Sequence, residues 1–322
     1  ATANVVLHTG AKPVFVDVNA SDFNISVENI KRAINDRTKV IMPVDIGGMP
    51  VDYTSIMELV NSPAMKNHFK PVNREQEKLG RIMVLSDSAH SFGAKYQSKP
   101  IGSQADAHVF SFHAVKNLTT AEGGAIALNF PSPFSNEEIY NYLCIITLHG
   151  QTKDALSKTQ PGAWRYDIIE PGYKCNMMDL QAAIGLVELE RYDNDTLIRR
   201  KEICENYNSA FSKYGWANTP VFRTNEKESS YHLYMLRINS CTEEQRDKII
   251  QEISKEQVAV NVHFLPLAML KAYKKRGYSI DDYPVCYKNY ACEISLPVYY
   301  ALTNDQINTV VKAVVQSVEK TL

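Results

Sequence analysis

The sequence predicts an α/β protein with a mostly parallel sheet in a large domain, followed from about Gly215 by a smaller α+β domain. Up to that point, short runs rich in β-branched and aromatic residues alternate with longer polar stretches. Those runs are continuously apolar rather than alternating, as strands covered on both faces must be. Beyond Gly215 the pattern changes to separate strands and helices with strong start signals. A chain of 322 residues is long enough for two packed domains, placed at 1–214 and 215–322.

Residues 13–18 read as the first strand and residues 39–44 as the second. Residues 61–79, with Asn67-His68-Phe69-Lys70-Pro71 at their centre, are polar and read as a surface excursion. The run Ile82-Met83-Val84-Leu85 then forms a buried strand that delivers Asp87, Ser88, Ala89 and His90 at its carboxyl end. Residues 107–112 form the next strand, followed by Lys116, a polar run and the Gly123-Gly124 turn into a strand at 124–128. From Asp179 a helical pattern continues to about Phe211, with Leu180, Ile184 and Val187 on one face and Ile203, Tyr207 and Phe211 repeating at i+4. In the smaller domain, residues 231–238 and 258–264 read as strands. Thr242-Glu243-Glu244-Gln245 and Thr303-Asn304-Asp305-Gln306 are capping boxes, opening helices that reach about Gln257 and the C-terminus.

Composition narrows the function. With 35 basic and 36 acidic residues, the chain lacks the electrostatic footprint of a nucleic-acid binder. No apolar run approaches membrane-spanning length, and Ala1-Thr2-Ala3-Asn4 lacks the features of a signal peptide. Cys144, Cys175, Cys204, Cys241, Cys286 and Cys292 are scattered without a CxxC pair, so neither a metal site nor a disulfide framework is expected. A reducing, cytoplasmic compartment is the expectation that follows.

Ligands of open α/β sheets sit outside the carboxyl ends of the strands. There the chain places a carboxylate (Asp87), an imidazole (His90) and an amine (Lys116), a set that suggests pyridoxal phosphate (PLP) chemistry. An amine can form the imine and an anion can pair with the pyridinium. Taken singly, each residue has an ordinary alternative. A lysine after a strand is commonly solvated, Asp87 could open a turn, His90 could be a satisfied buried ring, and Ser111 and Asn176 could close turns.

Several ordered motifs resolve those alternatives. Pro13-Val14-Phe15-Val16-Asp17-Val18, Ser86-Asp87-Ser88-Ala89-His90-Ser91-Phe92-Gly93-Ala94, Phe110-Ser111-Phe112-His113-Ala114-Val115-Lys116-Asn117, Ala121-Glu122-Gly123-Gly124 and Pro171-Gly172-Tyr173-Lys174-Cys175-Asn176-Met177-Met178-Asp179 span nearly the whole chain. Together they resemble the PLP-dependent nucleotide-sugar aminotransferases of the DegT/DnrJ/StrS family. The His90 variant and the Phe112-His113-Ala114 wording are most similar to members that aminate C4 of UDP-linked keto sugars, such as those making aminoarabinose or pseudaminic acid.

The resemblance implies a fold-type-I PLP transferase and a homodimer with a shared active site. It implies that Lys116 is the Schiff-base lysine and proton shuttle, and that Asp87 pairs with the pyridine nitrogen. His90 is implied to lie against the ring or near its 3-hydroxyl, Ser111 to bind the cofactor phosphate, and Asn176 to reach that phosphate from the neighbouring subunit. His149 and His263 resemble positions around the sugar-nucleotide pocket. Trp164, Arg165 and Tyr166 could bind uracil or diphosphate, or could anchor a loop. The implied substrates are glutamate and a nucleotide-linked keto sugar.

Two departures from the family pattern qualify these expectations. Ala1 corresponds to the middle of the family's large domain, which implies that an opening helix and a Gly-Ser/Thr phosphate loop precede it in the natural protein. Leu267 stands after the His263-Phe264-Leu265-Pro266 run where some relatives carry a polar residue. Two other readings share the scaffold. A PLP- or PMP-dependent sugar dehydratase would carry histidine in place of Lys116, and a catalytically silent binding or regulatory protein would have no need of Asp87 and Lys116 together.

Overall fold

A computed structural model of the protein describes residues 1–152 and 165–322. After helix α1 (Thr2–His8), an irregular segment leads to α2 (Val27–Ala33), capped by Ser26, and to β1 (Val40–Ile41). Helices α3 (Tyr53–Asn61), α4 (Pro63–His68) and α5 (Arg74–Leu79) follow. Neither α4 nor α5 buries a residue, so the polar stretch is a surface excursion as its composition predicts. Next come β2 (Met83–Asp87), the short pair β3 (Lys95–Tyr96) and β4 (Lys99–Pro100), β5 (Ala107–Ser111) and β6 (Gly124–Leu128).

The main sheet has the order β1-β2-β5-β6, with the first three strands parallel and β6 antiparallel to β5. Asp87 stands opposite Val109, and Ser111 opposite Gly124. Asp87 and Ser111 therefore finish neighbouring parallel strands at one edge of the sheet. Ile41, Ile82, Val84 and Phe110 pack with Val51, Tyr53, Ile56 and Val60 to form the first core.

A buried ion pair ties β2 to β5. The two terminal nitrogens of Arg81 donate to Asp106 at 2.8 and 2.6 Å, and Asp106 also accepts the Val84 N–H at 2.8 Å. Both side chains are buried, so removing one partner strands the other in a medium that cannot solvate it. Asp106→Ala is expected to cost about 3–5 kcal/mol in urea unfolding. A loss below about 1 kcal/mol would mean that water reaches Arg81 as it reaches exposed pairs.

The second half begins with α6 (Asn136–Ile146) and α7 (Asp179–Arg191). A π-helical turn at Tyr192–Thr196 joins α7 to α8 (Leu197–Phe211). The predicted long helix is thus interrupted, and the wider turn changes which face looks inward. Ile203, Cys204, Tyr207 and Phe211 of α8 are fully buried, whereas Leu180, Ile184 and Val187 of α7 are 77%, 47% and 61% exposed.

Strands β7 (Ala217–Asn218), β8 (Lys227–Glu228) and β9 (Tyr234–Ile238) lead to α9 (Glu243–Lys255). Short α10 (Lys271–Lys274), α11 (Pro284–Ala291), β10 (Glu293–Leu296) and α12 (Asn304–Thr321) complete the chain. An antiparallel sheet of order β10-β9-β7 is covered by α9 and α12, with Ile249, Ile253, Val310, Val314 and Val318 in the second core beside the buried face of α8. Both predicted capping boxes form: Thr242 and Gln245 exchange hydrogen bonds at 2.9 and 3.2 Å, as do Thr303 and Gln306. Strand β8 pairs instead with β3, stitching this half to the first.

Two predicted strands are not ladder strands. Residues 13–18 form only a Val18–Ile25 bridge. Pro13 has no N–H to give, Phe15 packs among Tyr273, Tyr278 and Tyr283, and the Asp17 carboxylate accepts the Val285 and Cys286 N–H groups at 2.9 and 2.8 Å. The segment is held by its side chains rather than by a neighbouring strand. Residues 258–264 contribute only an Asn261–Ser295 bridge to β10. Among the described residues no helix is long and apolar enough to cross a membrane.

Candidate active site

The carboxyl end of β2 is fixed by backbone bonds to the preceding loop. The Asp87 N–H donates to Pro43 O at 2.8 Å, and the Asp45 N–H donates to Asp87 O at 3.2 Å. The Asp87 carboxylate then accepts the Thr2 hydroxyl on one oxygen and the Ala89 N–H, at 3.1 Å, on the other. Chain reversal at residues 88–94 brings His90 back over this end. Gly93, at φ 86°, is required there because a Cβ would lie 2.5 Å from the Tyr192 ring.

Lys116 lies in the loop between β5 and β6, which closes on itself through Phe112 N–H to Gly123 O at 2.8 Å and Thr120 N–H to Phe112 O at 2.9 Å. The next residue, Asn117, is buried and anchors the loop to distant parts of the chain. Its Oδ1 is 2.8 Å from His232 Nδ1, and its Nδ2 donates to Ser230 O at 2.7 Å and to the Tyr192 hydroxyl at 3.3 Å. Tyr192 in turn donates to Phe92 O at 2.6 Å, and buried Arg200 donates to Tyr231 O and His232 O at 3.1 and 2.7 Å. Lys116 itself is partly buried, and among the described residues its amine makes no hydrogen bond or ion pair. Burial lowers its pKa from the ordinary lysine value, while the nearby Asp87 charge pulls the other way.

His90 accepts the Gly47 N–H at Nδ1, 3.3 Å away, which leaves its proton on Nε2. Its ring lies 4.4 Å from His232 and is stacked 5.9 Å from Phe264. Burial, followed by the charges of Lys116 and His263, pushes its pKa down to about 3, so the ring is neutral. His232, with its proton on Nδ1 toward Asn117, is likewise pushed well down by burial, then by His90 and Arg200. Gly48, at φ 94°, lets these segments meet, since a Cβ there would collide with the Ser230 side chain and come within 2.9 Å of His90 O.

The structure therefore brings together Asp87, His90, Lys116 and His263. His263 is also pushed down by burial and by Lys116, and its buried Nδ1 has no partner among the described residues. Ser111 is partly buried at the end of β5, where its Oγ accepts the His113 N–H at 3.4 Å. Asn176 is exposed and interacts with Lys174 and Met177 O, and His149 is exposed with its N–H on Tyr173 O at 2.7 Å. Arg165 and Tyr166 are exposed, and Trp164 lies outside the described residues. Sequence reasoning did not single out Asn117, His232 or Arg200. Only the adjacency of Asn117 to Lys116 offered a signal, because the partners of all three are far away in the chain.

An unpartnered, partly desolvated amine beside a carboxylate, with a neutral imidazole whose Nε2–H is a donor, fits the aldehyde, ring nitrogen and ring oxygen of PLP. This set at the strand ends of a mixed α/β sheet defines a PLP-dependent transferase of fold type I. The family model of the DegT/DnrJ/EryC1/StrS aminotransferases matches residues 1–66 and 70–315. The chain belongs to this family, and it is a PLP-dependent sugar aminotransferase.

Among solved structures, Spr1654 of Streptococcus pneumoniae, whose name assigns it to the sugar aminotransferases, superposes in its PMP form with a TM-score of 0.94. It is 41% identical, over 100% of this chain and 79% of that one. Its PLP form gives 0.92 at 39% identity. Helicobacter pylori PseC, an aminotransferase of pseudaminic acid biosynthesis, gives 0.83 at 26% identity, over 99% of this chain and 77% of that one. The spore coat polysaccharide biosynthesis protein SpsC of Bacillus subtilis is 35% identical, over 97% of this chain and 75% of its own length.

Proposed function

We propose that the chain moves an amino group from glutamate to the 4-keto carbon of a UDP-linked sugar. The observation that carries the amino-transfer step is the unpartnered amine of Lys116 near Asp87 and two neutral histidines, His90 and His232. When bound, PLP supplies an electron sink and a temporary carrier for the amino group. Lys116 holds the cofactor and then, as a free amine, moves a proton at the substrate carbon. Asp87 keeps the ring nitrogen protonated, and His90 gives its Nε2–H to the ring oxygen. Ser111 binds the cofactor phosphate. His263, His149 and Arg165 orient the nucleotide sugar, whose remote diphosphate and base supply binding energy that positions the keto carbon.

Asn176 completes the phosphate site of a partner copy in a homodimer. The apolar face of α7 supports that reading, because Leu180, Ile184 and Val187 are all exposed on a helix that buries none of its residues. The similarity to PseC, an aminotransferase of pseudaminic acid biosynthesis, and to the polysaccharide biosynthesis protein SpsC supports supply of an amino-sugar precursor. The UDP-4-keto substrate class and the cytoplasmic setting rest on the sequence motifs and composition. The division into a large domain at 1–214 and a small domain at 215–322 is part of this reading: the first core lies wholly within 1–214, whereas the second joins residues of 215–322 to Ile203, Cys204, Tyr207 and Phe211 of α8 across the boundary.

Incubation with PLP and glutamate is expected to release 2-oxoglutarate, and subsequent addition of a UDP-4-keto sugar to give the amino sugar nucleotide by mass spectrometry. No 2-oxoglutarate would sink the donor. A product that has lost water rather than gained nitrogen would replace aminotransfer with dehydration.

A further inference from the structure

A second carboxylate, Asp45, is completely buried beside the turn that carries Asp87 and His90. No cation meets it among the described residues. Instead its Oδ1 accepts the Val51 N–H at 2.9 Å. Its Oδ2 accepts the hydroxyls of Ser91 at 2.6 Å, Tyr53 at 2.8 Å and Ser88 at 3.5 Å. Ser88 and Ser91 flank His90 in the turn, and the Asp45 N–H is also the group that binds Asp87 O. Asp45 therefore grips both ends of the segment that presents Asp87 and His90.

The direction of these bonds is set at the far end of the network. Buried His108 accepts the N–H groups of Gln104 and Ala105 on Nε2, at 3.2 and 3.1 Å, so its proton must sit on Nδ1. That nitrogen lies 2.9 Å from Ser88 Oγ, which it can only approach as a donor. Ser88 must then pass its own proton to Ser86 Oγ, 3.1 Å away, or to Asp45. Ser86 is 2.6 Å from the Tyr53 hydroxyl, which donates to Asp45. Either route ends on Asp45 Oδ2, and only a group that accepts without donating can terminate it. Burial pushes the Asp45 pKa up to about 6 against the pull of Ser91, Val51 and Tyr53, so the group is a carboxylate at neutral pH.

We infer that Asp45 is a positioning residue: as the terminal acceptor of the chain from His108, it holds the turn at residues 87–91 so that Asp87 and His90 meet the PLP ring in one geometry. The inference rests on the cofactor assignment above. Asp45→Asn keeps the size of the side chain but turns an NH₂ group either toward the Val51 N–H or toward the hydroxyls. Ser91 can turn to Ser88 O at 3.4 Å, but the chain from His108 through Ser88, Ser86 and Tyr53 then loses its terminal acceptor. At least one buried donor is left unpaired, or the turn shifts to relieve it.

The test is a PLP titration of the purified full chain, followed by its lysine-dependent visible band from pH 6 to 9. Asp45→Asn is expected to weaken PLP binding on the order of tenfold, the equivalent of one unpaired buried donor, and to move the pH midpoint of the band. Ser88→Ala, which cuts the chain but leaves Asp45 its other donors, is expected to shift both readouts in the same direction by less, and it carries the test if Asp45→Asn does not fold. A structural role alone would lower the melting temperature while leaving affinity and midpoint unchanged below it, and that result in a folded variant overturns the proposal. If the wild-type chain itself takes up no PLP, the cofactor assignment falls and this inference with it.

Discussion

Lys116→Ala is expected to abolish the visible PLP band and to lower turnover by on the order of 10³- to 10⁴-fold, since one side chain supplies both the nucleophile and the proton carrier. The fold should survive, because the amine makes no hydrogen bond among the described residues and the loop is held by Asn117, Phe112 and Thr120 instead. Unchanged far-ultraviolet circular dichroism would establish that. Lys116→Arg separates charge from chemistry: it keeps a cation near Asp87 but offers no free amine at accessible pH, and it should be as inactive as the alanine variant. Added methylamine should restore part of the activity of Lys116→Ala, by taking up the vacated space and carrying the proton. Turnover within tenfold of wild type in the alanine variant would remove Lys116 from the chemistry.

The residues of that prediction were legible in the sequence because they lie where a parallel sheet must place them. An apolar run without alternation gives a strand and its carboxyl end a candidate site, but Asp45 and His113 follow such runs too, and it is the ordered motifs that set Asp87 and Lys116 apart. The helix starts at Thr242 and Thr303 were legible for a similar reason, since a capping box is a local exchange of hydrogen bonds. What the sequence concealed depends on partners remote in the chain. Strand β10 carries Glu293 and Ser295 among its buried residues, and what allows it is remote or visible only in the fold: Glu293 accepts the His263 N–H at 3.0 Å and the Ser295 hydroxyl. Residues 13–18 read as a strand because their composition is that of one, yet the aromatic residues near α10 claim Phe15. Asn117, His232 and Arg200 carry no pattern of their own, and neither does the chain of hydroxyls that ends on Asp45.

Asp87→Asn is expected to lower kcat/KM by about 10²- to 10³-fold, the scale on which removal of a preorganised charge acts in a site shielded from water. The substitution preserves shape. An asparagine oxygen can still accept the Ala89 N–H, and its amide can donate to the Thr2 oxygen after rotation of that hydroxyl, so packing changes little while the negative charge is lost. A second consequence follows for Lys116, whose ammonium form is favoured by the Asp87 charge and disfavoured by burial. Without the anion, burial acts alone and the pKa of Lys116 falls further below its ordinary value. The acidic limb of the pH–rate profile of any step that uses the free amine should therefore move to lower pH in Asp87→Asn, even as the rate at its plateau drops. Asp87→Glu retains the charge on a longer arm and should leave that limb near its wild-type position while losing rate through misplacement. A limb that moves upward in the asparagine variant, or a rate within tenfold of wild type, would show that Asp87 is not the charge that governs this site.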